Sequence, residues 1–127
     1  MTRGNKFSLR QRLKSFTFAF EGILQFFKNE HNAIIHLVTT IAVVVFAFVF
    51  RISNPEWLAL LLAIGLVWIA ELLNTAIERM MDFISPDYNP KVKTIKDLSA
   101  AAVLIAAIIA VITGAIIFIP KIMASLH

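Results

Sequence analysis

Long apolar stretches separated by short polar segments predict that this chain crosses a membrane. Residues 33–50 and 98–119 contain no formally charged side chain. A membrane-spanning helix needs about 20 mostly apolar residues, so both stretches are long enough. A third apolar stretch, residues 57–70, reaches this length only if its helix continues past Glu71. The predicted membrane-spanning helices are therefore residues 33–50, 57–82 and 97–119.

The segment before the first span, residues 8–28, has the pattern of an amphipathic helix. Its apolar and largely aromatic side chains recur at spacings of three and four residues: Leu9, Leu13, Phe16, Phe20, Ile23, Leu24 and Phe27. The opposite side is mainly polar and basic. Such a combination is typical of a helix that lies in the membrane interface. The alternative, a helix that faces the core of a soluble bundle, fits poorly with the apolar character of the remaining chain.

The overall composition agrees with a membrane protein and excludes a disordered chain. Hydrophobic residues make up 59% of the 127 residues, whereas soluble domains contain about 45–50% by a similar count. Charged residues make up 16%, against about 25% in soluble domains. The length allows one domain, which we expect to extend over residues 1–127. Because the chain has no cysteine, a disulfide framework and a cysteine-ligated metal site are excluded.

The distribution of basic residues predicts the orientation in the membrane. Except for Arg51 and Lys121, all of the 12 Lys and Arg residues precede the first span or lie between residues 79 and 96. Because basic residues are enriched on the cytoplasmic side, we expect the N-terminus and the segment between the second and third spans there, in a bacterial plasma membrane. The net charge of +4 in so apolar a chain favours contact with an anionic membrane surface over nucleic-acid binding.

Polar side chains on the second span form a stripe on one helical face. The stripe consists of Glu71, Asn74, Thr75, Glu78 and Asp82. A charged side chain at the bilayer centre costs about 2.5–3.5 kcal/mol, so we expect the stripe to face protein, water or a cation. One hypothesis makes the deeper Glu71 a general base and Glu78, nearer water, a ligand of a divalent metal. The other hypothesis is a polar stripe that only holds helices together.

Two polar residues of the first span or its approach are further candidates. Glu30 precedes the span at about the depth of Glu78, so these two carboxylates could share a magnesium ion. The alternative for Glu30 is an interfacial charge or an acid at a helix start. His36 lies inside the span, where a hydrogen bond to another helix is favoured over binding of a metal.

The chain lacks the common glycine-rich phosphate loops. It contains no G-x-x-x-x-G-K-[ST] motif and no G-x-G-x-x-G motif. Lys96 offers a different phosphate site, because it lies close to the N-terminus of the third spanning helix. The alternative for Lys96 is the anchoring role that basic residues have at a cytoplasmic membrane surface.

Two motifs resemble those of a known family of membrane enzymes. The segment ELLNTAIERMMD, residues 71–82, is similar to the E-x-x-N-[ST]-A-I-E-x-x-x-D motif of the prokaryotic diacylglycerol kinase and undecaprenol kinase family. The segment KDLSAAAVLIA, which begins at Lys96, is similar to the family's Lys-Asp pair and the small-residue helix after it. Asn29 and Glu30 ahead of the first span are a weaker match. The resemblance extends from about residue 14 to the end of the third span.

This resemblance implies an all-α protein with three transmembrane helices and an N-terminal amphipathic surface helix, assembled as a homotrimer with active sites shared between subunits. It implies transfer of the γ-phosphoryl group of MgATP to a lipid hydroxyl. By position, Glu71 matches the family's general base and Asn74 a polar residue beside the reacting groups. Its ATP-binding positions are matched by Glu30, Glu78, Asp87, Tyr88, Lys96 and Asp97. Of these, Glu30 and Glu78 match the ligands of Mg²⁺.

The resemblance favours one of two lipid substrates. AFEGI at residues 19–23 and N-x-x-I-H at residues 32–36 are more similar to the undecaprenol kinase branch. The diacylglycerol kinase branch has a lysine at the position of Glu21 and a serine at the position of Ala100. We therefore expect undecaprenol as the substrate, in contact with Glu71 and Ala100, and diacylglycerol as the alternative.

A function of another class, a transporter or scaffold subunit without enzymatic activity, is also compatible with acids in a membrane helix. Such a subunit would place acids near the bilayer centre on more than one span. Here the acids collect at one depth near the cytoplasmic surface, where a soluble phosphate donor can reach them.

Overall fold

The computed structural model describes residues 7–127, and this part of the chain is helical and contains no strand. Its helices are α1 (Leu9–Asn29), α2 (His31–Val49), α3 (Asn54–Ile84) and α4 (Pro90–Ser125). Helices α2, α3 and α4 are each long and apolar enough to cross a membrane. The predicted fold class, an all-α multi-pass membrane protein with an additional N-terminal helix, is thereby confirmed.

The chain divides into two compact units, residues 1–35 and residues 36–127. In the first unit, the hydroxyl of Ser8 caps α1 by accepting the N–H of Gln11 at 3.4 Å. Large apolar side chains of α1 are exposed, as Leu13 and Phe16 illustrate. The helix also has a basic residue in its last turn. An exposed apolar face together with basic residues suits a helix in the membrane interface.

A tight turn connects α2 to α3 in the second unit. The N–H of Ile52 donates to the carbonyl of Ala47, and the N–H of Arg51 donates to the carbonyl of Phe48, both at 3.2 Å. This pair of bonds is a Schellman motif, and Ile52 and Ala47 belong to one buried apolar cluster, as is common for this motif. Arg51 has a φ of 50° at the position where helices usually have glycine. Backbone strain in the turn is therefore concentrated at Arg51.

Helices α3 and α4 form a closely packed antiparallel pair. At one end of the pair, Lys121 of α4 forms an ion pair of 3.0 Å with Glu56 in the first turn of α3. At the other end, Lys96 of α4 forms an ion pair with Asp82 of α3. The pair therefore brings the polar end of the α3 stripe next to the start of α4.

Both helices of this pair are longer than the hydrocarbon core of a bilayer is thick. Helix α3 has 31 residues and α4 has 36. At about 1.5 Å per residue they extend roughly 46 and 54 Å, against about 30 Å for the hydrocarbon core. Their charged ends at the α3–α4 turn can therefore reach the aqueous side while the apolar middle stays in lipid.

Candidate active site

The polar stripe of α3 changes its surroundings along the helix. Glu71 and Thr75 are buried, with 7% and 8% exposure. Glu78, one turn further, is half-buried, and Asp82 is exposed. With a rise of about 1.5 Å per residue, the stripe advances roughly 16 Å from Glu71 to Asp82. One helical face thus leads from a dry position in the molecule to the aqueous end.

Glu71, at the dry end of the stripe, is bound by a histidine of α2. Its Oε1 atom lies 2.7 Å from Nε2 of His36. An ionised carboxylate only accepts hydrogen bonds, so the tautomer of His36 that matches an ionised Glu71 carries its proton on Nε2. The prediction that His36 makes a hydrogen bond to another helix is confirmed.

A second hydrogen bond joins α2 to α3 one turn away. The indole Nε1–H of Trp68 donates to the hydroxyl of Thr40 at 3.0 Å, and this hydroxyl donates to the carbonyl of His36 at 2.7 Å. The rings of His36 and Trp68 also meet edge to face, with centroids 6.2 Å apart. The imidazole beside Glu71 is therefore held through its ring and its backbone.

Asn74, the next polar residue of the stripe, is bound from the opposite helix. Oγ of Ser99, on α4, lies 2.7 Å from Oδ1 of Asn74 and 2.9 Å from the carbonyl of Lys96. Ser99 is itself buried, with 9% exposure. The sequence analysis missed Ser99; the available signal was a hydroxyl three residues after Lys96, at the start of a small-residue helix.

The start of α4 carries two charged residues of the predicted ATP site. Lys96 forms its ion pair with Asp82, a partner that the sequence analysis did not predict. Asp97 accepts a hydrogen bond of 2.5 Å from Lys93, one turn earlier. Lys93 precedes the predicted span, and the neighbouring carboxylate of Asp97 raises the pKa of Lys93 above its usual value.

The turn between α3 and α4 contains Asp87 and Tyr88, both of which are exposed. The hydroxyl of Ser85 donates to the carbonyl of Asp87 at 3.1 Å, and the side chain of Asn89 caps α4 by accepting the N–H of Lys91 at 2.9 Å. These bonds give the turn a defined course. Asp87 and Tyr88 therefore lie at the same end of the helix pair as Asp82.

The remaining two candidate residues are Glu30 and Ala100. Glu30 belongs to the first unit. Its backbone N–H donates to the carbonyl of Phe26 near the end of α1, and its carbonyl accepts the N–H of Ala33 near the start of α2. Ala100 follows Ser99 on α4 and is exposed. Ala100 has no polar group, so contact with the apolar part of a lipid is the contribution it can make.

Within the described residues there is no group of three or more His, Cys, Asp or Glu side chains that could hold a metal ion. This arrangement does not conflict with magnesium. Mg²⁺ is commonly held by one or two carboxylates together with substrate phosphates rather than by a cage of protein ligands. The half-buried Glu78 is a carboxylate of this kind.

An apolar cleft of about 330 Å³ lies between α2, α3 and α4 in the second unit. Its few polar side chains include Thr40, Trp68 and His36, of which His36 is hydrogen-bonded to Glu71. The remaining lining is aliphatic or aromatic, from Val43 to Phe118. The hydrogen-bond partner of Glu71, His36, therefore lines a largely apolar space.

Comparison with known proteins identifies relatives over almost the whole chain. Residues 17–118 match the family model described as prokaryotic diacylglycerol kinase. An undecaprenol kinase of Bacillus subtilis is 37% identical over 120 residues, which cover 94% of this chain and 98% of that protein. A diacylglycerol kinase of Synechocystis is 38% identical over 112 residues, 87% of this chain and 64% of that protein. A diacylglycerol kinase of Escherichia coli is 33% identical over 105 residues, 83% and 86% of the two chains.

Proposed function

The chain belongs to the prokaryotic diacylglycerol kinase family, and from this premise we propose that it transfers the γ-phosphoryl group of ATP to the hydroxyl of a membrane lipid. The proposal treats the chain as one membrane-embedded kinase domain. The observation that carries it is the polar face of α3, which joins a buried carboxylate at Glu71 to exposed charges at the α3–α4 turn. A lipid alcohol from the bilayer and a nucleotide from the aqueous side can meet along this face.

Glu71 is proposed as the general base. In the transfer step, the proton of the lipid hydroxyl moves to a carboxylate oxygen of Glu71, and the lipid oxygen forms a bond to the γ-phosphorus. The bond from the γ-phosphorus to the oxygen bridging it to the β-phosphorus breaks, and its electron pair leaves with ADP. Burial of Glu71 on a membrane-spanning helix supports the role, because a lipid alcohol can reach this carboxylate from the bilayer and a general base must lie within hydrogen-bond reach of the proton it takes.

Asn74 is proposed to contact the reacting groups from the same face of α3. It lies three residues, about 5 Å along the helix axis, from Glu71. Its hydrogen bond with Ser99 fixes the amide from the α4 side. In phosphoryl transfer most of the catalysis comes from positioning and charge stabilisation, for which a fixed amide is suited.

The nucleotide is proposed to bind at the α3–α4 turn. Lys96 supplies a cation near a helix N-terminus, and Tyr88 supplies an exposed ring. Asp97 and Asp87 are assigned to the same ligand on the strength of the family motif. Lys96 would exchange its partner Asp82 for phosphate, or contact both; an exposed ion pair contributes about 0–1 kcal/mol, so the exchange is inexpensive.

Magnesium is proposed to be held by Glu78, together with Glu30 and the phosphates of ATP. When bound, it offsets the negative charge on the phosphate oxygens. The donor chemistry fits, because both residues supply hard carboxylate oxygens. Glu78 lies about 10 Å along α3 from Glu71, on the side of the nucleotide, so its role is separate from that of the base.

Undecaprenol is the proposed lipid. The B. subtilis undecaprenol kinase is similar over nearly its full length, whereas the Synechocystis diacylglycerol kinase aligns over 64% of its own. The residues at positions 21 and 100, Glu21 and Ala100, also differ from the diacylglycerol kinase pattern. Diacylglycerol remains the alternative substrate.

The proposed setting is a bacterial plasma membrane, with the N-terminus and the α3–α4 turn on the cytoplasmic side and the protein assembled as a homotrimer. The charge distribution supports this orientation. Exposed apolar side chains cover α2, α3 and α4, and other subunits as well as lipid can cover such surfaces.

A phosphoryl-transfer assay with the full-length protein in mixed micelles tests the proposal. Undecaprenol and diacylglycerol are offered in parallel with ATP labelled at the γ-phosphate. We expect label in undecaprenol, and a loss of about 10²- to 10⁴-fold in Glu71→Gln, because a positioned general base contributes about that much. Glu56→Gln is the matched control, since it makes the same change at the other end of α3.

Preference for diacylglycerol would overturn the lipid assignment and keep the kinase. Unchanged transfer in Glu71→Gln would overturn the role of the base. No labelled product from either lipid would overturn the function and favour a transporter or scaffold subunit.

A further inference from the structure

His36 is bound to the buried carboxylate of α3 more firmly than a single contact would require. Its Nε2 donates to Glu71 at 2.7 Å, its ring meets the ring of Trp68, and its carbonyl accepts from Thr40. Trp68 completes the circuit by donating to Thr40. The four residues alternate between two helices, with His36 and Thr40 on α2 and Trp68 and Glu71 on α3. The imidazole itself is restrained by its contacts with Glu71 and with the ring of Trp68, whereas the bonds of Thr40 reach the backbone of His36 and the indole.

The hydrogen bond from His36 selects one oxygen of Glu71. It engages Oε1 and thereby fixes the plane and the rotamer of the carboxylate. The other oxygen, Oε2, is then the one that can accept a proton from a ligand. A glutamate side chain has three rotatable bonds and is otherwise among the more mobile side chains.

The donor type suits a carboxylate that has to take up a proton. A lysine or arginine at this place would form an ion pair and stabilise the ionised form strongly, which weakens the base. An imidazole N–H can orient the carboxylate without the permanent charge that lysine and arginine carry. His36 is half-buried and its partner is buried, so water does not replace this donor easily.

We propose that His36 is a positioning residue for Glu71: it holds Oε1 so that Oε2 faces the hydroxyl of the lipid substrate. This inference rests on the proposed function, in which Glu71 is the general base. His36 acts through Glu71 and does not exchange a proton with the substrate. Its removal therefore lowers kcat and leaves the binding of nucleotide unchanged.

Thr40 provides a control for the merely structural explanation. Two side-chain hydrogen bonds join α2 to α3 in this region, His36 to Glu71 and Trp68 to Thr40. Both lie within one turn of each other on each helix. Thr40→Val removes the second bond, together with the bond from Thr40 to the backbone carbonyl of His36, and leaves the contact between the imidazole and Glu71 in place, whereas His36→Leu removes that contact. If His36 only held the helices together, the two variants would behave alike.

The test compares wild type, His36→Leu, His36→Gln and Thr40→Val of the full-length protein in mixed micelles. For each, kcat, the KM for MgATP, the KM for the lipid and the thermal midpoint are measured. A glutamine at this position places its side-chain N–H₂ close to where Nε2 of histidine lies, so it keeps the donor. We expect kcat to fall about 100-fold in His36→Leu, as misplaced catalytic groups do, with both KM values within about twofold of wild type.

We expect His36→Gln to recover at least a third of the wild-type kcat, and Thr40→Val to keep kcat within about threefold of wild type. Equal losses in His36→Leu and Thr40→Val, in step with their thermal midpoints, would overturn the inference in favour of helix packing. A raised KM for the lipid with unchanged kcat would overturn it in favour of substrate binding. An inactive wild-type protein would instead contradict the proposed function, so the two failures are distinguishable.

Discussion

Glu71 and Glu78 lie two turns apart on one face of α3, but their surroundings differ. Glu71 is buried and takes a hydrogen bond from His36. Glu78 is half-buried and lies closer to the exposed α3–α4 turn. Two carboxylates on the same helix can therefore have different tasks, because the buried one is reached from the apolar side and the partly exposed one can meet a hydrated cation.

The separation of these tasks predicts different defects in the two amide variants. Glu71→Gln should lower transfer about 10²- to 10⁴-fold and change the affinity for MgATP less than about twofold, because the proposed base acts on the lipid hydroxyl. Glu78→Gln should weaken MgATP binding by about tenfold or more, because a charge-assisted contact contributes about 1.5–3 kcal/mol. Equilibrium binding of a non-hydrolysable MgATP analogue measures the affinity in both variants, and the transfer assay measures their activity. The same loss of binding in both variants would contradict the assignment.

Ser99 is the second residue that holds a site side chain from a neighbouring helix. Ser99→Ala removes the hydrogen bond to Asn74, and we expect kcat to fall by about tenfold, with little change in thermal stability. Thr113→Val is the matched control, because the hydroxyl of Thr113 is on the same helix and donates only to the carbonyl of Ile109 among its own turns. Steady-state kinetics compare kcat of the two variants with kcat of the wild type. An unimpaired Ser99→Ala enzyme would mean that Asn74 needs no support from α4.

At the scale of the elements, the length of the apolar stretches was enough to predict the three spans, and helical periodicity was enough to predict α1 and the face of α3 that carries the stripe. Helical geometry alone places residues four and seven positions apart on one side. The partners of that stripe could not be predicted in the same way. Ser99 lies among other small residues of α4, so no sequence pattern marks it as the partner of Asn74. The pairing of Lys96 with Asp82 depends on the course of the turn between α3 and α4.

The connection between α2 and α3 also escaped sequence analysis, because its key position has an unusual residue. Helix ends of the Schellman type are predicted from glycine, and here Arg51 adopts the left-handed conformation instead. In the sequence analysis, the Arg51 side chain was used only as a basic residue in the argument for membrane orientation. Sequence patterns therefore locate this turn by the end of the apolar stretch and not by its chemistry.

Arg51 predicts the response of the turn to substitution. The left-handed conformation costs a residue with a Cβ atom about 1–2 kcal/mol, and glycine avoids this cost. Arg51→Gly should therefore raise the thermal midpoint by a few degrees, whereas Arg51→Val should lower it, since a β-branched side chain tolerates this conformation poorly. Thermal unfolding in detergent, followed by circular dichroism, measures both. A lower midpoint for Arg51→Gly would show that contacts of the arginine side chain outweigh the strain.

At the scale of the whole molecule, the described chain buries little of its apolar surface by itself. Large exposed apolar side chains occur on all four helices. In water such a surface would drive association, and in a bilayer it is covered by lipid or by further subunits. The fold thus depends on its surroundings for most of its apolar contacts, and the α3–α4 pair is the part that packs closely without them.

The length of α3 has a consequence for the range of alcohols that the enzyme can use. The apolar residues 57–70 of α3 lead directly to Glu71, so in the proposed function the lipid hydroxyl reaches this carboxylate from within the bilayer and the substrate does not have to be extracted. Extraction would cost about 0.8 kcal/mol for every methylene group, or about 8 kcal/mol for ten of them. Because the substrate is not extracted, the part of its tail beyond the first few carbons stays in hydrocarbon. That part therefore contributes equally to the free energy of the free and of the enzyme-bound lipid. Turnover should therefore depend on the chemistry around the hydroxyl and scarcely on the length of the chain behind it.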